Sequence, residues 1–320
     1  MDDRMPSPNS QSSTDTTRPG VPRVLSIAGT DPSGGAGAIA DIKSISAQGG
    51  YALSVITALV AQNTQGVRSV HEPPVSFLRE QLDAVRDDVE LDAIKIGMLG
   101  DADIAETVHG WLTEPAAADR PPLVLDPVMV ATSGDRLLDP RAEGALRELL
   151  PVADLITPNI PELAVLAGVE PAEGIDAAIA QARAVSERAG VMVLVKGGHL
   201  HGDRLPNALV DVNGVLGDDT EWRYITERVD TANTHGTGCS ISSAIATLYA
   251  RTGDWRQAVR AASDWLTDAL RFADDLHVGR GHGPINHFHD LWAAAGRYPE
   301  QRSRVPSAPG AAGRVPTSSS

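Results

Sequence analysis

The chain is poor in several residue types, and each scarcity excludes a class of protein. It has one cysteine in 320 residues, so no disulfide can form within it. Aromatic residues make up 4% and the formal net charge is -15, which argues against a base-stacking or broadly basic surface for nucleic acid. No stretch approaches the roughly 18 consecutive apolar residues of a membrane-spanning helix, and the N-terminus lacks the apolar core of a signal peptide. We expect a cytoplasmic protein with neither nucleic acid nor a membrane as partner.

What the chain does have is 42% apolar residues over a length that suits one large α/β domain. Residues 1–20 and 300–320 are instead rich in Ser, Pro, Thr and Gly. Such segments bury too little apolar surface to offset the entropy lost on ordering the chain. We therefore predict two disordered tails and a single domain over residues 21–299, without repeats or a long linker.

The hydrophobic pattern alternates between short apolar runs and segments with helical spacing. The runs "VPRVLSIA", "LSVITALVAQN", "LDAIKIGML", "PPLVLDPVM", "ADLITPN" and "VMVLVKGG" are continuous, which is typical of strands buried on both faces. Helical spacing occurs between them, and again at about 239–251 and 255–276. "NALVDVNGVLG" and "EWRYITERV" have no helix between them, which indicates an antiparallel edge. The pattern predicts a mostly parallel central sheet with helices on both sides.

Ligands of such sheets bind beyond the carboxyl ends of the strands, where this sequence places glycines and polar residues. "AGTDPSGGAG" (28–37) joins the first strand to the first helix and could offer backbone N–H groups to a polar ligand. It could equally be a tight turn, since it has neither the Walker lysine nor the G-x-G-x-x-G spacing. Asp41, in the following helix, could point back to a substrate or be a solvated charge.

"NTHGTGC" (233–239) precedes another helical pattern and contains the single cysteine. Thr237, Gly238 and Cys239 would place N–H groups at the positive end of that helix, where they suit a phosphoryl group in transfer. The same position would lower the pKa of a thiol and favour the thiolate. The alternative is that Cys239 is a small buried residue at a helix start.

Two carboxylates and a lysine follow three other strands. Asn159 and Glu162 in "TPNIPE" could form a capping box, and Glu162 could also hold Mg2+ through water. Asp126 in "LDPVM" could join that metal or be a turn residue, and Lys196 in "VKGGH" could neutralise a nucleotide phosphate or be merely exposed. Because the histidine spacing does not match H-E-x-x-H, we expect no zinc site. Together these segments indicate phosphoryl transfer.

The motifs, in this order, resemble the hydroxymethylpyrimidine/phosphomethylpyrimidine kinases of thiamine biosynthesis, which belong to the ribokinase-like superfamily. The resemblance runs from about residue 23 to about residue 287. It implies a three-layer αβα sandwich and ATP-dependent phosphorylation of 4-amino-5-hydroxymethyl-2-methylpyrimidine, then of its monophosphate. It also implies a homodimer, with Mg2+ as the cofactor.

The resemblance implies a role for each candidate residue. The aminopyrimidine would be bound by Gln62, Gly29, Asp41 and Met98, since a side-chain amide suits a ring nitrogen beside an exocyclic amine. ATP would be bound by Asn159, Lys196 and Thr234, with Mg2+ near Glu162 and Asp126. Catalysis would fall to Cys239, Gly236, Thr237 and Gly238. Cys239 stands where most ribokinase-like sugar kinases have an aspartate base, and would receive the hydroxymethyl proton.

Two other functions stay open at this point. A pyridoxal kinase of the same superfamily also phosphorylates a hydroxymethyl group on a six-membered nitrogen heterocycle, although Gln62 favours a pyrimidine. A non-catalytic pyrimidine sensor would have lost Cys239, Glu162 or the GTG segment, all of which are present. Pro127 and Ser133 lie in a loop that we hypothesise to move over the site.

Overall fold

A computed structural model describes residues 20–114, 120–129 and 140–298. The two predicted tails fall outside the described residues, apart from residue 20, as does Ser133 of the loop after Asp126. No helix within the described ranges is both long and apolar enough to cross a membrane.

The described part contains ten strands and nine α-helices. The strands are β1 (Arg23–Ala28), β2 (Tyr51–Ile56), β3 (Leu59–Asn63), β4 (Gly66–His71), β5 (Ala93–Ile96), β6 (Leu123–Leu125), β7 (Leu155–Ile156), β8 (Met192–Val195), β9 (Arg204–Val210) and β10 (Glu221–Glu227). The helices are α1 (Gly37–Ala47), α2 (Val75–Arg86), α3 (Ala102–Thr113), α4 (Pro140–Leu149), α5 (Ile160–Ala167), α6 (Ile175–Ala189), α7 (Thr237–Thr252), α8 (Trp255–Arg271) and α9 (His289–Ala294).

Eight strands form one sheet in the order β10-β9-β8-β7-β6-β5-β1-β2. The pairs from β2 to β8 are parallel, whereas β9 runs antiparallel to both β8 and β10. The parallel sheet with an antiparallel edge confirms the predicted fold class. The carboxyl ends of the parallel strands share one edge of the sheet, which is where ligands of such folds bind.

Helices cover both faces of this sheet and form two separate cores. Alternate residues of β8 divide between them: Val193 and Val195 join the core under α2 to α6, and Met192 and Leu194 join the core under α1, α7 and α8. Because side chains on a strand alternate between faces, a strand with both faces covered must be apolar at every position. This explains the continuous apolar runs and gives the three-layer αβα arrangement.

The run "LSVITALVAQN" is not one strand, contrary to the sequence prediction. It breaks at Thr57 and Ala58: β2 stays in the large sheet, while β3 pairs with β4 in a two-stranded hairpin. The break is held by hydrogen bonds across the sheet edge. Thr57 Oγ1 donates to the carbonyl of Met98 over 2.7 Å, and Thr30 N donates to the carbonyl of Ala58 over 2.8 Å. A register shift between Ala61 and Gln62 then leaves Arg68 of β4 without a partner, so β4 is bulged.

Candidate active site

A cavity of about 690 Å³ lies at the carboxyl ends of the parallel strands. It is lined by all but one of the residues predicted from the sequence: Gly29, Gln62, Met98, Asp126, Asn159, Glu162, Lys196, Thr234, Gly236, Thr237, Gly238 and Cys239. The exception is Asp41. Segments that are up to about 200 residues apart therefore meet at one place, as the topology requires.

Two glycine loops, residues 29–37 and 234–238, pack against each other at the centre of the cavity. Gly236 has φ +79°, and a Cβ on it would overlap the carbonyl oxygen of Gly35. Gly37 has φ +57°, and a Cβ there would overlap the carbonyl oxygen of Gly29. Both positions combine a left-handed backbone with backbone-on-backbone contact, so only glycine fits without displacing a loop.

We expect Gly236→Ala to lower kcat/KM by about 100-fold or more, because it pushes apart the two loops that form the wall of the cavity. The matched control is Gly253→Ala, since Gly253 also has a left-handed φ (+67°) but has no atom within 4 Å of the new Cβ. That control should lose about 1 kcal/mol of stability and keep its activity. Steady-state kinetics on both variants, with melting curves, makes the comparison. Equal activities would show that the loop contact does not matter.

Helix α7 begins in the cavity wall and is open to an anion. Its N-cap is Gly236, and no side chain within the described residues caps its first turn. Because the first N–H groups of a helix have no partner inside it, those of Gly238 and Cys239 can bind a phosphate, whereas Thr237 N donates to the carbonyl of Thr234 over 3.3 Å. A Cβ on Gly238 would lie 3.3 Å from Asp126 Oδ2 and 3.9 Å from Lys196 Nζ. The helix start therefore faces a carboxylate and an ammonium group directly.

The thiol of Cys239 is not a ready thiolate, contrary to the sequence prediction. The residue is partly exposed to the cavity. Burial of the thiol raises its pKa to about 11; Lys95 opposes this shift, whereas the carboxylates of Asp41 and Asp126 add to it. The helix N-terminus alone suggested a low pKa, but desolvation and two nearby negative charges outweigh it.

Asp41 lies beneath the cavity and is neither a substrate ligand nor a solvated charge. Its carboxylate is fully buried and accepts hydrogen bonds from Lys95 Nζ, 2.8 Å from each oxygen, from Ser26 Oγ over 2.6 Å and from Ser243 Oγ over 2.8 Å. Burial lowers the pKa of Lys95, but the negative charges of Asp41, Cys239 and Asp126 raise it by a larger amount. The net pKa of Lys95 is therefore above its ordinary value. The sequence signal for this pair is the lysine within the apolar run "AIKI" of β5.

Asn159 and Glu162 form the capping box of α5. Asn159 Oδ1 accepts from Glu162 N, and Glu162 Oε2 accepts from Asn159 N, each over 2.8 Å. Glu162 also faces a second acid: burial, and then the carboxylate of Asp126, raises its pKa to about 7, against the ammonium group of Lys196. The capping role of Glu162 and a role in the cavity are therefore compatible.

Asp126 connects Glu162 to the helix start. Its Oδ1 accepts from Thr157 Oγ1 over 2.9 Å and lies 3.8 Å from Lys196 Nζ, while its Oδ2 faces Gly238. Among residues 20–114, 120–129 and 140–298, no three His, Cys, Asp or Glu side chains converge closely enough to hold a metal ion by themselves. Asp126 and Glu162 offer carboxylate oxygens, which suit Mg2+ when phosphate oxygens and water complete its shell.

Asp31 and His235 are site residues that the sequence analysis missed. Both line the cavity and both are buried, and His235 Nε2 lies 2.7 Å from Asp31 Oδ2. Each residue could have been proposed from its position in a motif, since Asp31 lies in the first glycine loop and His235 in "NTHGTGC". Nothing in the sequence joins two residues 204 positions apart.

The fold and the glycine-lined cavity are those of a ribokinase-like small-molecule kinase. The chain belongs to the phosphomethylpyrimidine kinase family, whose sequence profile matches residues 31–286. It is 48% identical to the hydroxymethylpyrimidine/phosphomethylpyrimidine kinase of Salmonella typhimurium, over 84% of this chain and 98% of that protein.

It is also 57% identical to the thiamine biosynthesis multifunctional protein ThiED of Corynebacterium efficiens, over 83% of this chain. The chain spans only about a third (35%) of that relative's length. Among solved structures, the pyridoxal kinase of Bacillus subtilis in complex with ADP superposes with a TM-score of 0.74 at 30% identity, covering 84% of this chain and 98% of that one.

Proposed function

We propose that the chain phosphorylates 4-amino-5-hydroxymethyl-2-methylpyrimidine with ATP and then phosphorylates the monophosphate, giving the pyrophosphate. The observation that carries the proposal is the meeting of three groups at Gly238. The uncapped start of α7, the Asp126 carboxylate and the Lys196 ammonium group converge there, around the place where a phosphoryl group would pass. Phosphoryl transfer depends mainly on positioning and on matching the charge of the transferring group.

The pyrimidine end of the cavity is formed by Gln62, Gly29 and Met98. Gly29 N donates to the carbonyl of Met98 over 3.0 Å, and a Cβ on Gly29 would lie 3.1 Å from Met98 Cε. A glycine at position 29 thus leaves room for the thioether beside a flat ring. Gln62 lies at the register shift of the β3–β4 hairpin and lines the same cavity. This arrangement suits an aromatic heterocycle that has a hydrogen-bonding edge.

The nucleotide end holds Asn159, Lys196 and Thr234, together with apolar side chains. Leu205, Val229 and Leu266 also line the cavity, and a purine base would bury its faces against such apolar side chains. Lys196 would neutralise phosphate charge. We assign the ATP site to this half of the cavity.

We assign to Cys239, which lines the cavity at the start of α7, the role of accepting the proton of the hydroxymethyl group. In the proposed step the substrate oxygen attacks the γ-phosphorus of ATP, its proton passes to the thiolate form of Cys239, and the bond to the β-phosphate oxygen breaks to release ADP. The N–H groups of Gly238 and Cys239 stabilise the phosphoryl oxygens during the transfer. The monophosphate would then bind with its phosphate oxygen in the position of the hydroxymethyl oxygen.

Asp126 and Glu162 are the residues that would hold Mg2+. The bound ion would supply positive charge that offsets the negative charge of the ATP phosphates. The fit rests on the two facing carboxylates, because burial and then the negative charge of Asp126 raise the pKa of Glu162, and a divalent cation would relieve the repulsion between the two groups.

Glu162→Gln should raise the Mg2+ concentration needed for half-maximal activity by about 10-fold or more. Glutamine can keep the capping box of α5, so the loss is that of one negative charge at the cavity. In the wild type, the Mg2+ requirement should also fall as the pH rises through about 7, since Glu162 ionises there. The variant should lack this trend. Kinetics at fixed ATP, with melting curves as a folding control, tests both points; an unchanged Mg2+ requirement would remove Glu162 from the metal site.

The experiment that tests the function is ADP release with Mg-ATP and each of three acceptors: hydroxymethylpyrimidine, its monophosphate and pyridoxal. Turnover of both pyrimidines supports the proposal. Turnover of pyridoxal alone would move the chain to the second candidate function, which its likeness to the pyridoxal kinase structure favours. Pyrimidine binding without ADP release would indicate a sensor.

A further inference from the structure

The side chain of Gln62 touches one polar group of the cavity wall, the ring of His235. The amide nitrogen of Gln62 lies 3.3 Å from His235 Nε2. The same Nε2 lies 2.7 Å from Asp31 Oδ2. A single ring nitrogen therefore contacts two polar groups. If it carries a hydrogen, it acts as a donor toward both; if it carries a lone pair, it acts as an acceptor toward both.

The Asp31 carboxylate determines whether His235 Nε2 carries a hydrogen. Burial raises the pKa of Asp31, but hydrogen bonds from His235 and from Ser33 bring it below its ordinary value, so the group is a carboxylate. A carboxylate only accepts hydrogen bonds, so His235 Nε2 carries a hydrogen and donates it. This holds whether the imidazole is neutral or protonated. Nε2 has no lone pair left to accept a hydrogen from the Gln62 amide.

The orientation of the Gln62 amide follows from this. With its NH2 group toward His235, two donors would oppose each other at 3.3 Å. A half-turn of the amide exchanges Nε2 with Oε1, keeps the plane and places an acceptor where it can share the hydrogen that His235 Nε2 donates to Asp31. In that rotamer the NH2 group of Gln62 points away from His235, toward the cavity that Gln62 lines.

Neither partner of this contact can readily turn away. Asp31 also accepts from Ser33 N over 2.8 Å, from Ser33 Oγ over 2.9 Å and from Ala36 N over 3.0 Å. His235 N donates to the carbonyl of Gly283 over 3.0 Å, and its ring packs on Gly35, where a Cβ would overlap it. The hydrogen of His235 Nε2 thus has a direction fixed by both glycine loops.

We infer that Asp31 and His235 act as a positioning pair that fixes the polarity of the Gln62 amide and thereby selects the edge of the substrate ring. The inference rests on the proposed function and deepens it. A 4-aminopyrimidine has an unprotonated ring nitrogen beside the amine, which accepts from the Gln62 NH2 group, while the amine can donate to the remaining lone pair of Oε1. The matching 4-oxo ring has an N–H at that position, which would oppose the NH2 group.

The test is the ratio of kcat/KM for the 4-amino substrate to that for its 4-oxo analogue. The wild type should favour the amino compound by about 100-fold or more, since a site built to hydrogen-bond one edge rejects the reversed edge strongly. His235→Leu leaves the amide free to turn, so the ratio should fall by about 10-fold or more. His235→Gln keeps a donor toward Asp31 and should restore the ratio to within about threefold of wild type.

A merely structural role for His235 would slow both substrates equally, so an unchanged ratio in His235→Leu overturns the inference. If that variant does not fold, His235→Asn, whose side chain is too short to reach both neighbours, replaces it in the same comparison. Calorimetric binding of the two compounds without ATP separates the two levels of the proposal. A wild type that binds and discriminates without turnover contradicts the function alone, and one that binds neither compound overturns both.

Discussion

Cys239→Ala is expected to lower kcat/KM for the pyrimidine alcohol by about 10²- to 10⁴-fold, the usual contribution of a positioned proton acceptor. The cavity and the start of α7 stay intact in this variant, so the apparent affinity for ATP should change little. Cys239→Asp should retain part of the activity, because a carboxylate at the same position can also accept the proton. Initial rates, nucleotide binding and melting curves of the three proteins provide the measurement.

The raised pKa of the thiol gives this prediction a second, independent readout. A base must be deprotonated to act, and with a pKa of about 11 the thiolate fraction increases tenfold for each pH unit up to that value. Wild-type kcat/KM should therefore rise steeply between about pH 7 and 9, and Cys239→Asp should lack that rise. A flat wild-type profile over this range, with Cys239→Ala inactive, would mean that Cys239 acts by some means other than accepting the proton.

Lys95→Met is expected to cost about 3–5 kcal/mol of folding free energy, because it leaves the buried Asp41 carboxylate without its counter-charge. Both side chains are fully buried. The raised pKa of Lys95 means that its contribution is fully present below about pH 10.4 and is lost as the pH rises past its folded value. Urea unfolding at pH 7 therefore measures the full effect.

A double variant separates the unpaired charge from the lost packing. Lys95→Met combined with Asp41→Leu removes both charges, and replacing a buried ion pair by apolar residues is often nearly neutral. We expect the double variant to be more stable than Lys95→Met alone, although Ser26 and Ser243 lose an acceptor. If the double variant were as unstable as the single one, the cost would come from packing rather than from the buried charge.

The main sheet and its helices could be predicted because each depends on local pattern. The helices predicted at about 239–251 and 255–276 are α7 and α8, and the continuous apolar runs are strands covered on both faces. The predicted cavity residues follow from one further rule, that the carboxyl ends of parallel strands share an edge. Neither inference depends on the order of the strands in the sheet.

The features that were not predicted all depend on contacts between segments that are distant in the sequence. The break at Thr57 and Ala58 is imposed by contacts with the first glycine loop and Met98, and the local sequence gives no turn signal for it. The partner of Asp41 is 54 residues away on β5. The thiol pKa of Cys239 likewise depends on charges from other elements, whereas the helix start that suggested a thiolate is visible in the sequence.

The contact between the two glycine loops also has a consequence for how the protein is made. Asp31 and His235 are 204 residues apart, and His235 N is held by the carbonyl of Gly283. At about 5–20 residues per second, the ribosome completes the second loop roughly 10–40 s after the first. A nascent or truncated chain that stops before residue 233 has the strands of the main sheet and no phosphate site. Substrate and nucleotide can therefore stabilise only a chain that extends past Gly283, so ligand-induced protection from proteolysis would report that both glycine loops have been made.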